Sequence, residues 1–286
     1  MLNARQLEDL FQEPILTFET LHGGDTASSQ KITTSSGCYF VKSTAFENGQ
    51  EMLEAEMLGL QSIEATKTIK VPQVLGTYSR DGISSLLLAY ISSKTPNTQE
   101  FETFGRQLAL LHSSSSLDYF GFQSNNFIGS LSQKNGRSVS WEEFYVTQRL
   151  LPQLELAHSL ERLPFHLIPS YEKMVVRLET VVGSINPSFL HGDLWSGNYL
   201  ISNDGTPFLI DPAVYYGHHL VDIAMTKLFG GFSRPFYEAY TEVIPKHPNE
   251  AAILEIYQLY YLLVHLNLFG TSYLGGVKKI LERYFL

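Results

Sequence analysis

The sequence predicts an α+β protein built from two lobes, a small β-rich N-terminal lobe and a larger, mainly helical C-terminal lobe. Short apolar runs separated by Gly, Pro and Ser turns dominate the first 91 residues, a pattern typical of strands. A loop at residues 92–99, which contains Pro96, then interrupts this pattern. From residue 101 onward, apolar side chains recur mostly at helical spacing. We therefore predict two parts, residues 1–91 and residues 92–286.

Paired strands and one helix account for the predicted N-terminal lobe. Residues 28–34 and 38–42 flank a Ser-Ser-Gly turn, which favours an antiparallel strand pair. Residues 84–91 are nearly all apolar and are typical of a buried strand. Between these strands, residues 51–63 are predicted to form a helix whose inner face carries Leu53, Met57 and Leu60.

Helical periodicity predicts most of the C-terminal lobe. Residues 101–112 carry an apolar stripe that favours a long helix. A second amphipathic helix spans residues 141–151 and is expected to end at Pro152, because proline disrupts a helix interior. Further helices are predicted at residues 171–182, 221–229, 235–243 and 250–268. The predicted order is strands, a linker, helices, one hairpin and more helices.

Composition and charge exclude several classes of protein. Hydrophobic residues make up 44% of the 286 residues and charged residues 17%, so we expect a packed core rather than a disordered chain. The net charge is −9 and no long basic run is present, which argues against nucleic-acid binding. The apolar stretch 253–270 contains Glu255 and His265, so it is predicted to be a buried core helix rather than a membrane span.

Cysteine content and the N-terminus predict a cytoplasmic protein. Cys38 is the single cysteine, so the chain cannot form an internal disulfide, and its apolar surroundings predict that it is buried. Residues 1–11 carry charges throughout and lack the apolar run of a signal peptide. We expect a monomer or homodimer in the cytoplasm, with neither membrane nor nucleic acid as a partner.

The stretch His-Gly-Asp-Leu-Trp-Ser-Gly-Asn at residues 191–198 is the most informative feature of the chain. It matches the catalytic-loop pattern of kinases, in which His-x-Asp is followed by four residues and Asn. In this pattern Asp193 is expected to receive the proton of a hydroxyl group, and Asn198 and Asp211 are the candidate ligands of Mg²⁺. The alternative is that both aspartates only cap strand ends. Two residues are expected to brace this loop by hydrogen bonds, His191 and Asp222.

A predicted hairpin brings Asn198 and Asp211 together. Residues 199–201 and 207–210 are apolar runs that flank a Ser-Asn-Asp-Gly turn, which favours two antiparallel strands. Asn198 immediately precedes the first strand, and Asp211 immediately follows the second. An amide oxygen and a carboxylate would then lie side by side, and Mg²⁺ prefers such oxygen ligands.

The N-terminal lobe supplies candidates for binding ATP. Lys42 ends a predicted strand, and Glu56 lies on the inner face of the following helix, so it is preferred to Glu54 as the partner of Lys42. A full Gly-x-Gly-x-x-Gly motif is missing. The candidates for the turn that covers the phosphates are Gly23, Gly24 and Ser28. The candidates for backbone contacts with adenine are Ala89 and Ile91.

Aromatic side chains near the predicted metal site favour a small-molecule acceptor over a protein acceptor. Trp195 occupies the position where protein kinases commonly carry lysine, and its flat apolar face suits a sugar ring. No Phe-Gly follows Asp211, and no Ala-Pro-Glu closes an activation segment. Tyr215 and Tyr216 are therefore candidates for lining the acceptor pocket, with core packing as the alternative. His218 is expected to be solvated.

These motifs resemble those of the fructosamine kinase (ketosamine 3-kinase) family. The resemblance rests on Asp-Leu-Trp-Ser-Gly-Asn at residues 193–198 and on Asp-Pro-Ala-Val-Tyr-Tyr-Gly at residues 211–217. The segments Asn-Phe-Ile-Gly-Ser at residues 126–130 and Leu-Phe-Gly-Gly-Phe at residues 228–232 are also similar to the family's. The resemblance spans nearly the whole chain. It departs from the family at Leu220 and Ala89, where acidic residues are common.

The resemblance implies a protein-kinase-like two-lobe fold and ATP-dependent phosphorylation of a sugar hydroxyl on a ketosamine. The substrate would be a small-molecule or protein-linked ketosamine, the rearranged product of an amine and a reducing sugar. Phosphorylation would make this adduct unstable and free the amine, which is deglycation. The implied roles are the base for Asp193, binding of Mg²⁺ for Asn198 and Asp211, ATP binding for Lys42 with Glu56, and sugar contact for Trp195.

Two other functions stay open at this point. The first is a kinase of the same fold that acts on an aminoglycoside, a choline-like compound or another sugar. Trp195 and the Tyr-Tyr-Gly segment argue against it. The second is a catalytically silent nucleotide-binding protein. The joint presence of Asp193, Asn198, Asp211 and Lys42 argues against that function.

Overall fold

The structure, a computed structural model, describes Leu2, residues 4–21 and residues 27–286. Within these ranges the longer strands come first and most helices follow. The predicted α+β class, with a small sheet lobe and a larger helical lobe, is therefore confirmed. Two candidates for the phosphate-covering turn, Gly23 and Gly24, lie outside the described residues.

One antiparallel sheet forms the N-terminal lobe. The elements of this part are α1 (Ala4–Phe11), β1 (Thr17–Leu21), β2 (Ser28–Thr33), β3 (Cys38–Thr44), α2 (Gly49–Thr66), β4 (Val74–Arg80) and β5 (Ile83–Ala89). In space the strands follow the order β1-β2-β3-β5-β4. The predicted pair β2–β3 and the predicted inner strand β5 are thus at the centre of the sheet.

Alternation along β3 gives its two faces different neighbours. Val41 is fully buried in a small apolar cluster that includes Leu7 of α1. Lys42 follows it directly, so its side chain leaves the opposite face of the sheet. That face is covered by α2, whose buried residues include Leu53, Leu60 and Ile63. The sequence of β3 therefore points a lysine toward α2 and away from α1.

A capping box begins the first helix of the C-terminal lobe. The side chain of Asn97 accepts a hydrogen bond from the backbone N–H of Glu100, and the Glu100 carboxylate accepts one from the N–H of Asn97. This reciprocal pair satisfies backbone donors that the helix leaves free. The capping box therefore fixes the residue at which the linker ends and the helix begins.

The C-terminal lobe is mainly helical. Its strands and helices are β6 (Ser93–Lys94), α3 (Thr98–Ser113), β7 (Asn126–Ile128), β8 (Leu131–Gln133), α4 (Trp141–Tyr145), α5 (Leu151–Ser159), α6 (Tyr171–Val182), β9 (Ser188–Leu190), β10 (Tyr199–Ser202), β11 (Pro207–Leu209), β12 (Tyr215–Gly217), α7 (Leu220–Leu228), α8 (Arg234–Val243), α9 (Glu250–Phe269) and α10 (Leu274–Tyr284). Helix α3 packs against α8, and α7 packs against α9. Strand β10 pairs with both β6 and β11 in a small antiparallel sheet. Two further antiparallel pairs are β9 with β12 and β7 with β8.

Helix α9 forms the centre of the helical lobe. Most of its side chains are buried, and it packs against α5, α7 and α10. Among the described residues it is the one helix that is long and apolar enough to cross a membrane. Of its most apolar 18-residue stretch, 61% is buried inside the protein.

The fold corrects the expected end of one helix and the expected burial of Cys38. The helix predicted at residues 141–151 does not end at Pro152, because the wide π-helical turn Val146–Leu150 connects α4 to α5. Pro152 then lies in the first turn of α5, where a missing N–H costs little. Cys38 is exposed rather than buried, since it is the first residue of β3.

Candidate active site

Asp222 of α7 braces the loop that carries Asp193. The backbone N–H of His191 donates to Asp222 Oδ2 at 2.8 Å, and that of Gly192 donates to Oδ1 at 2.9 Å. His112 Nε2, from α3, lies 3.0 Å from Oδ2. Burial alone would raise the pKa of Asp222, but the His112 contact and the Gly192 N–H hold it below its usual value. A buried carboxylate therefore anchors the start of the loop.

His191 has the bracing role that the sequence predicted. Its Nδ1 accepts a hydrogen bond from the N–H of Asp193 at 3.2 Å. Its Nε2 therefore carries the proton, and it lies 2.9 Å from the carbonyl oxygen of Ile210. Burial lowers the pKa of His191, so the ring is neutral and connects the loop to the end of β11. Gly192 sits at φ +85°, where a β-carbon would overlap the Ala213 carbonyl oxygen.

Asn198 holds the candidate base in place. Its Nδ2 donates to the backbone oxygen of Asp193 at 2.8 Å and to Asp193 Oδ2 at 3.2 Å. Burial raises the pKa of Asp193 to about 7, and the nearby Asp211 carboxylate adds to this shift. With its nitrogen committed to Asp193, Asn198 has its amide oxygen left as a ligand atom.

The predicted hairpin places Asn198 beside Asp211. Strands β10 and β11 pair in antiparallel register, with Tyr199 opposite Leu209. One step further, the N–H of Ile210 donates to the carbonyl oxygen of Asn198 at 3.1 Å. Asp211 follows at φ +53°, a left-handed conformation that Asp and Asn tolerate better than most residues.

Lys42 joins the two lobes at this point. Its Nζ lies 2.8 Å from Glu56 Oε2 and 2.9 Å from Asp211 Oδ2. Burial alone would lower the pKa of Lys42, but the carboxylates of Asp211 and Glu56 raise it above its usual value. Burial raises the pKa of Glu56, and the charge of Lys42 opposes this rise and favours the carboxylate. The alternative partner, Glu54, instead accepts a hydrogen bond from Gln50 on the surface.

The oxygen atoms of Asn198 and Asp211 suit Mg²⁺, which needs few ligands from the protein. Among the residues that the structure describes, no cluster of three or more His, Cys, Asp or Glu side chains forms a metal site. Mg²⁺ usually keeps several water ligands and binds through one or two protein groups together with phosphate oxygens. The Asp211 side chain is 37% exposed and could supply such a group. The donor set therefore fits a magnesium ion that arrives with a nucleotide.

Replacing Lys42 alone should destabilise the fold. Lys42→Met leaves the buried Glu56 carboxylate without its cation, and breaking a buried ion pair in this way costs about 3–5 kcal/mol. The double variant Lys42→Met/Glu56→Gln removes both charges, so it should recover part of that loss. Urea unfolding of the two variants measures this difference. A double variant no more stable than Lys42→Met would contradict the pairing.

The remaining candidates for nucleotide binding are Ser28, Ala89 and Ile91, and the structure gives less support for their roles. The Ser28 hydroxyl donates to the carbonyl oxygen of Ser43 at 3.1 Å, so it is occupied within the sheet. The N–H of Ala89 donates to the Gln73 carbonyl oxygen at 2.9 Å, which leaves only its carbonyl oxygen for adenine. Ile91 lies two residues beyond the end of β5 and is half-buried. Their roles in ATP binding stay predictions.

Of the predicted acceptor residues, Trp195 and Tyr216 are accessible. The Trp195 side chain is 40% exposed, and its ring lies across the backbone of Gly197. Tyr216 is half-buried, pairs with Phe189 between β12 and β9, and contacts the ring of Tyr119. Both residues are therefore available to a bound sugar.

Tyr215 and His218 are core residues, which corrects two expectations. Tyr215 is 0% exposed, and the guanidinium of the buried Arg149 lies 4.0 Å from its ring centroid. It therefore cannot contact an acceptor directly. His218 is buried rather than solvated, with Nδ1 2.8 Å from the hydroxyl of Tyr257. Their partners lie on distant helices, so local sequence could not place them.

A polar layer beneath the site carries residues to which the sequence analysis gave no role. Asn126 Nδ2 donates to the carbonyl oxygen of Val214 at 2.8 Å, and Gln133 Nε2 donates to that of Ala213 at 3.3 Å. The hydroxyl of Tyr261 donates to the carbonyl oxygen of Gly192 at 3.0 Å. The feature of the sequence that could have indicated this role is the presence of two polar residues, Asn126 and Gln133, in a short apolar hairpin. The bonds from Asn126 and Gln133 fix the segment that follows Asp211, and the bond from Tyr261 holds the loop that carries Asp193.

Comparison with known proteins extends these observations. A family model described as fructosamine kinase matches residues 1–286. A probable ketoamine kinase of Synechocystis sp. is 35% identical over 284 residues, covering 98% of this chain and 95% of that protein. A chloroplastic protein-ribulosamine 3-kinase of Arabidopsis thaliana is 35% identical over 299 residues, covering 98% of this chain and 89% of that protein.

Solved structures of kinases and phosphotransferases have a similar fold. A putative fructosamine-3-kinase from Haemophilus somnus superimposes with a TM-score of 0.86 at 28% identity, covering 98% of this chain and 95% of that one. An aminoglycoside phosphotransferase in a ternary complex with ADP and hygromycin B gives 0.66 at 13% identity, covering 98% and 97%, and shares the fold alone. The predicted kinase-like fold and family resemblance are confirmed. The chain belongs to the fructosamine kinase family.

Proposed function

We propose that this chain is an ATP-dependent kinase that phosphorylates a sugar hydroxyl of ketosamines. The observation that carries the proposal is the convergence of Lys42, Asp193, Asn198 and Asp211 at one point between the lobes. Family membership and the ketoamine and ribulosamine kinases among its relatives support the substrate class.

Binding of the triphosphate falls to residues from both lobes. Lys42, oriented by Glu56, is the cation for the phosphate oxygens. Asn198 and Asp211 are the residues that would hold Mg²⁺. When bound, the ion neutralises charge on the phosphate oxygens. Because Lys42 contacts Asp211, the cation for the phosphate oxygens and the proposed metal ligand lie side by side.

Asp193 orients and deprotonates the acceptor. Its carboxylate accepts a hydrogen bond from the sugar hydroxyl and aligns that oxygen with the γ-phosphorus. A bond forms between the hydroxyl oxygen and the γ-phosphorus, while the bond from the γ-phosphorus to the bridging oxygen breaks and ADP leaves. The hydroxyl proton passes to Asp193. The hydrogen bond from Asn198 keeps the carboxylate at its position during this step.

Trp195 and Tyr216 are proposed to contact the acceptor. An indole face and a phenol ring bind the apolar face of a sugar and still offer polar atoms to its hydroxyl groups. The phosphorylated adduct would be unstable and would release the amine, so the proposed physiological role is deglycation. The amine can be a free amino acid or a protein side chain.

Several further properties belong to this proposal. Residues 1–91 act as the nucleotide-binding lobe and residues 92–286 as the catalytic and acceptor lobe. Gly23, Gly24 and Ser28 cover the phosphates, and the backbone near Ala89 and Ile91 holds adenine. A cytoplasmic monomer or homodimer is proposed, while the Arabidopsis relative is named as chloroplastic.

A panel of acceptors tests the function. The purified chain with Mg²⁺ and ATP should release ADP when it receives fructosamine, ribulosamine or erythrulosamine adducts, and mass spectrometry should find one added phosphate on the sugar. Aminoglycosides are the control acceptors, because the aminoglycoside phosphotransferase shares the fold at only 13% identity. Turnover of aminoglycosides without turnover of any ketosamine would contradict the proposal.

A further inference from the structure

Two glycines that follow α7 have similar backbone conformations but different surroundings. Gly230 and Gly231 lie at φ +73° and +88°, within the segment Leu-Phe-Gly-Gly-Phe. A β-carbon placed on Gly230 would meet nothing within 4 Å. A β-carbon placed on Gly231 would overlap the Cβ of Ser196 and lie 3.0 Å from its Oγ. Only the second glycine therefore lies against the catalytic loop.

The segment around Gly231 is held firmly. The hydroxyl of Tyr199 donates to the carbonyl oxygen of Gly231 at 3.1 Å. The next residue, Phe232, packs its ring 5.0 Å from that of Tyr199 and 4.9 Å from that of Phe236. Since Phe236 is fully buried, the segment is tied to the core of the helical lobe. It cannot easily yield to a side chain added at Gly231.

Ser196 transmits this contact to Trp195. The N–H of Asn198 donates to the carbonyl oxygen of Trp195 at 3.0 Å, which closes a turn around Ser196 and Gly197. The indole lies on this turn so closely that a β-carbon on Gly197 would overlap its six-membered ring, with Cζ3 at 2.8 Å. Because Ser196 is bonded directly to Trp195 within this turn, we expect a shift of Ser196 to move the indole as well.

We propose that Gly231 is a positioning residue for the acceptor, since its lack of a side chain lets Ser196 and hence Trp195 take the position that binds the sugar. The inference rests on the proposed function, because it assumes that Trp195 contacts the ketosamine. It assigns a role to the Leu-Phe-Gly-Gly-Phe segment, which contributes none of the four residues Lys42, Asp193, Asn198 and Asp211. Acceptor binding should therefore change separately from nucleotide binding.

The first test compares Gly231→Ala with Gly230→Ala. Both add a β-carbon at positive φ and so carry similar backbone strain, but only Gly231→Ala meets Ser196. Overpacking of this kind should raise the KM for the ketosamine roughly tenfold and leave the KM for ATP within about twofold. Gly230→Ala should leave both constants near those of the unmodified protein.

Fluorescence gives a readout that a loss of stability would not mimic. The chain has two tryptophans, and Trp141 is buried while Trp195 is 40% exposed. In a Trp141→Phe background, Trp195 is the single indole fluorophore. Gly231→Ala should change its quenching by acrylamide, and Gly230→Ala should not. If this background does not fold, the two KM values in the native background still decide the inference.

A rescue variant tests the contact itself. Ser196→Gly removes the β-carbon that the added methyl group would meet, so Ser196→Gly/Gly231→Ala should bind the ketosamine about as well as Ser196→Gly alone. Equal ketosamine KM values for Gly231→Ala and Gly230→Ala would overturn the inference, as would equal increases in both KM values for Gly231→Ala. An unmodified protein that phosphorylates no ketosamine would instead refute the proposed function.

Discussion

Asp193→Asn should lower kcat by about 10²–10⁴-fold, the usual contribution of a positioned general base, while ATP still binds. The amide keeps the shape of the carboxylate but cannot take the proton of the acceptor hydroxyl. Asn198 can still donate to the backbone oxygen of residue 193, so the loop should keep its geometry. Lys42 and Asp211 are unchanged, which preserves the phosphate and metal contacts.

Single-turnover phosphorylation and equilibrium ATP binding measure the two halves of this prediction. The matched control is Asp118→Asn, which makes the same chemical change at an exposed position. It should leave kcat and ATP affinity unaltered. If Asp193→Asn retained normal turnover, Asp193 would not be the base, and the role of the whole loop would need another explanation.

Asp211→Asn should abolish the dependence of nucleotide binding on Mg²⁺. The substitution removes the charged magnesium ligand, and a bound metal contributes several kcal/mol to phosphoryl transfer, so turnover should fall by about 10²–10³-fold or more. Asparagine tolerates the left-handed backbone of residue 211, whereas alanine would add strain. Glu56 still pairs with Lys42, so the variant should remain folded.

Titration of ATP binding with and without Mg²⁺ tests this prediction. Asp204→Asn is the matched control, since Asp204 lies in the exposed turn of the same hairpin. The control should keep the magnesium dependence of the unmodified protein. Binding by Asp211→Asn that still tightens with Mg²⁺ would exclude Asp211 as a ligand. Loss of binding in both variants would point to damage of the hairpin instead.

The arrangement of the site could be predicted wherever it depended on local periodicity. The turn between residues 201 and 207 sets the strand pairing, so the sequence could place Asn198 next to Asp211. The helical spacing of Glu56 from Leu53 and Leu60 identified the residue that meets Lys42. In both cases the relevant partners lie within about twenty residues of each other, and secondary structure alone fixes their relation.

Positions that depend on distant partners could not be predicted. Tyr215 is buried because Arg149, from the π-helical turn, packs on its ring. His218 is buried because Tyr257 of α9 meets its imidazole. Single residues cannot reveal such pairs, since aromatic and imidazole side chains occur both in cores and in sites. The contact of Gly231 with Ser196 is equally invisible until the chain is folded.

The position of the triphosphate tests the central claim most directly. A crystal structure with Mg²⁺ and a non-hydrolysable ATP analogue should place the metal on Asn198 and Asp211, a phosphate oxygen on Lys42 and the terminal phosphate facing Asp193. A nucleotide bound elsewhere, or one whose metal contacts neither Asn198 nor Asp211, would contradict the assignment of these residues to the phosphoryl-transfer site.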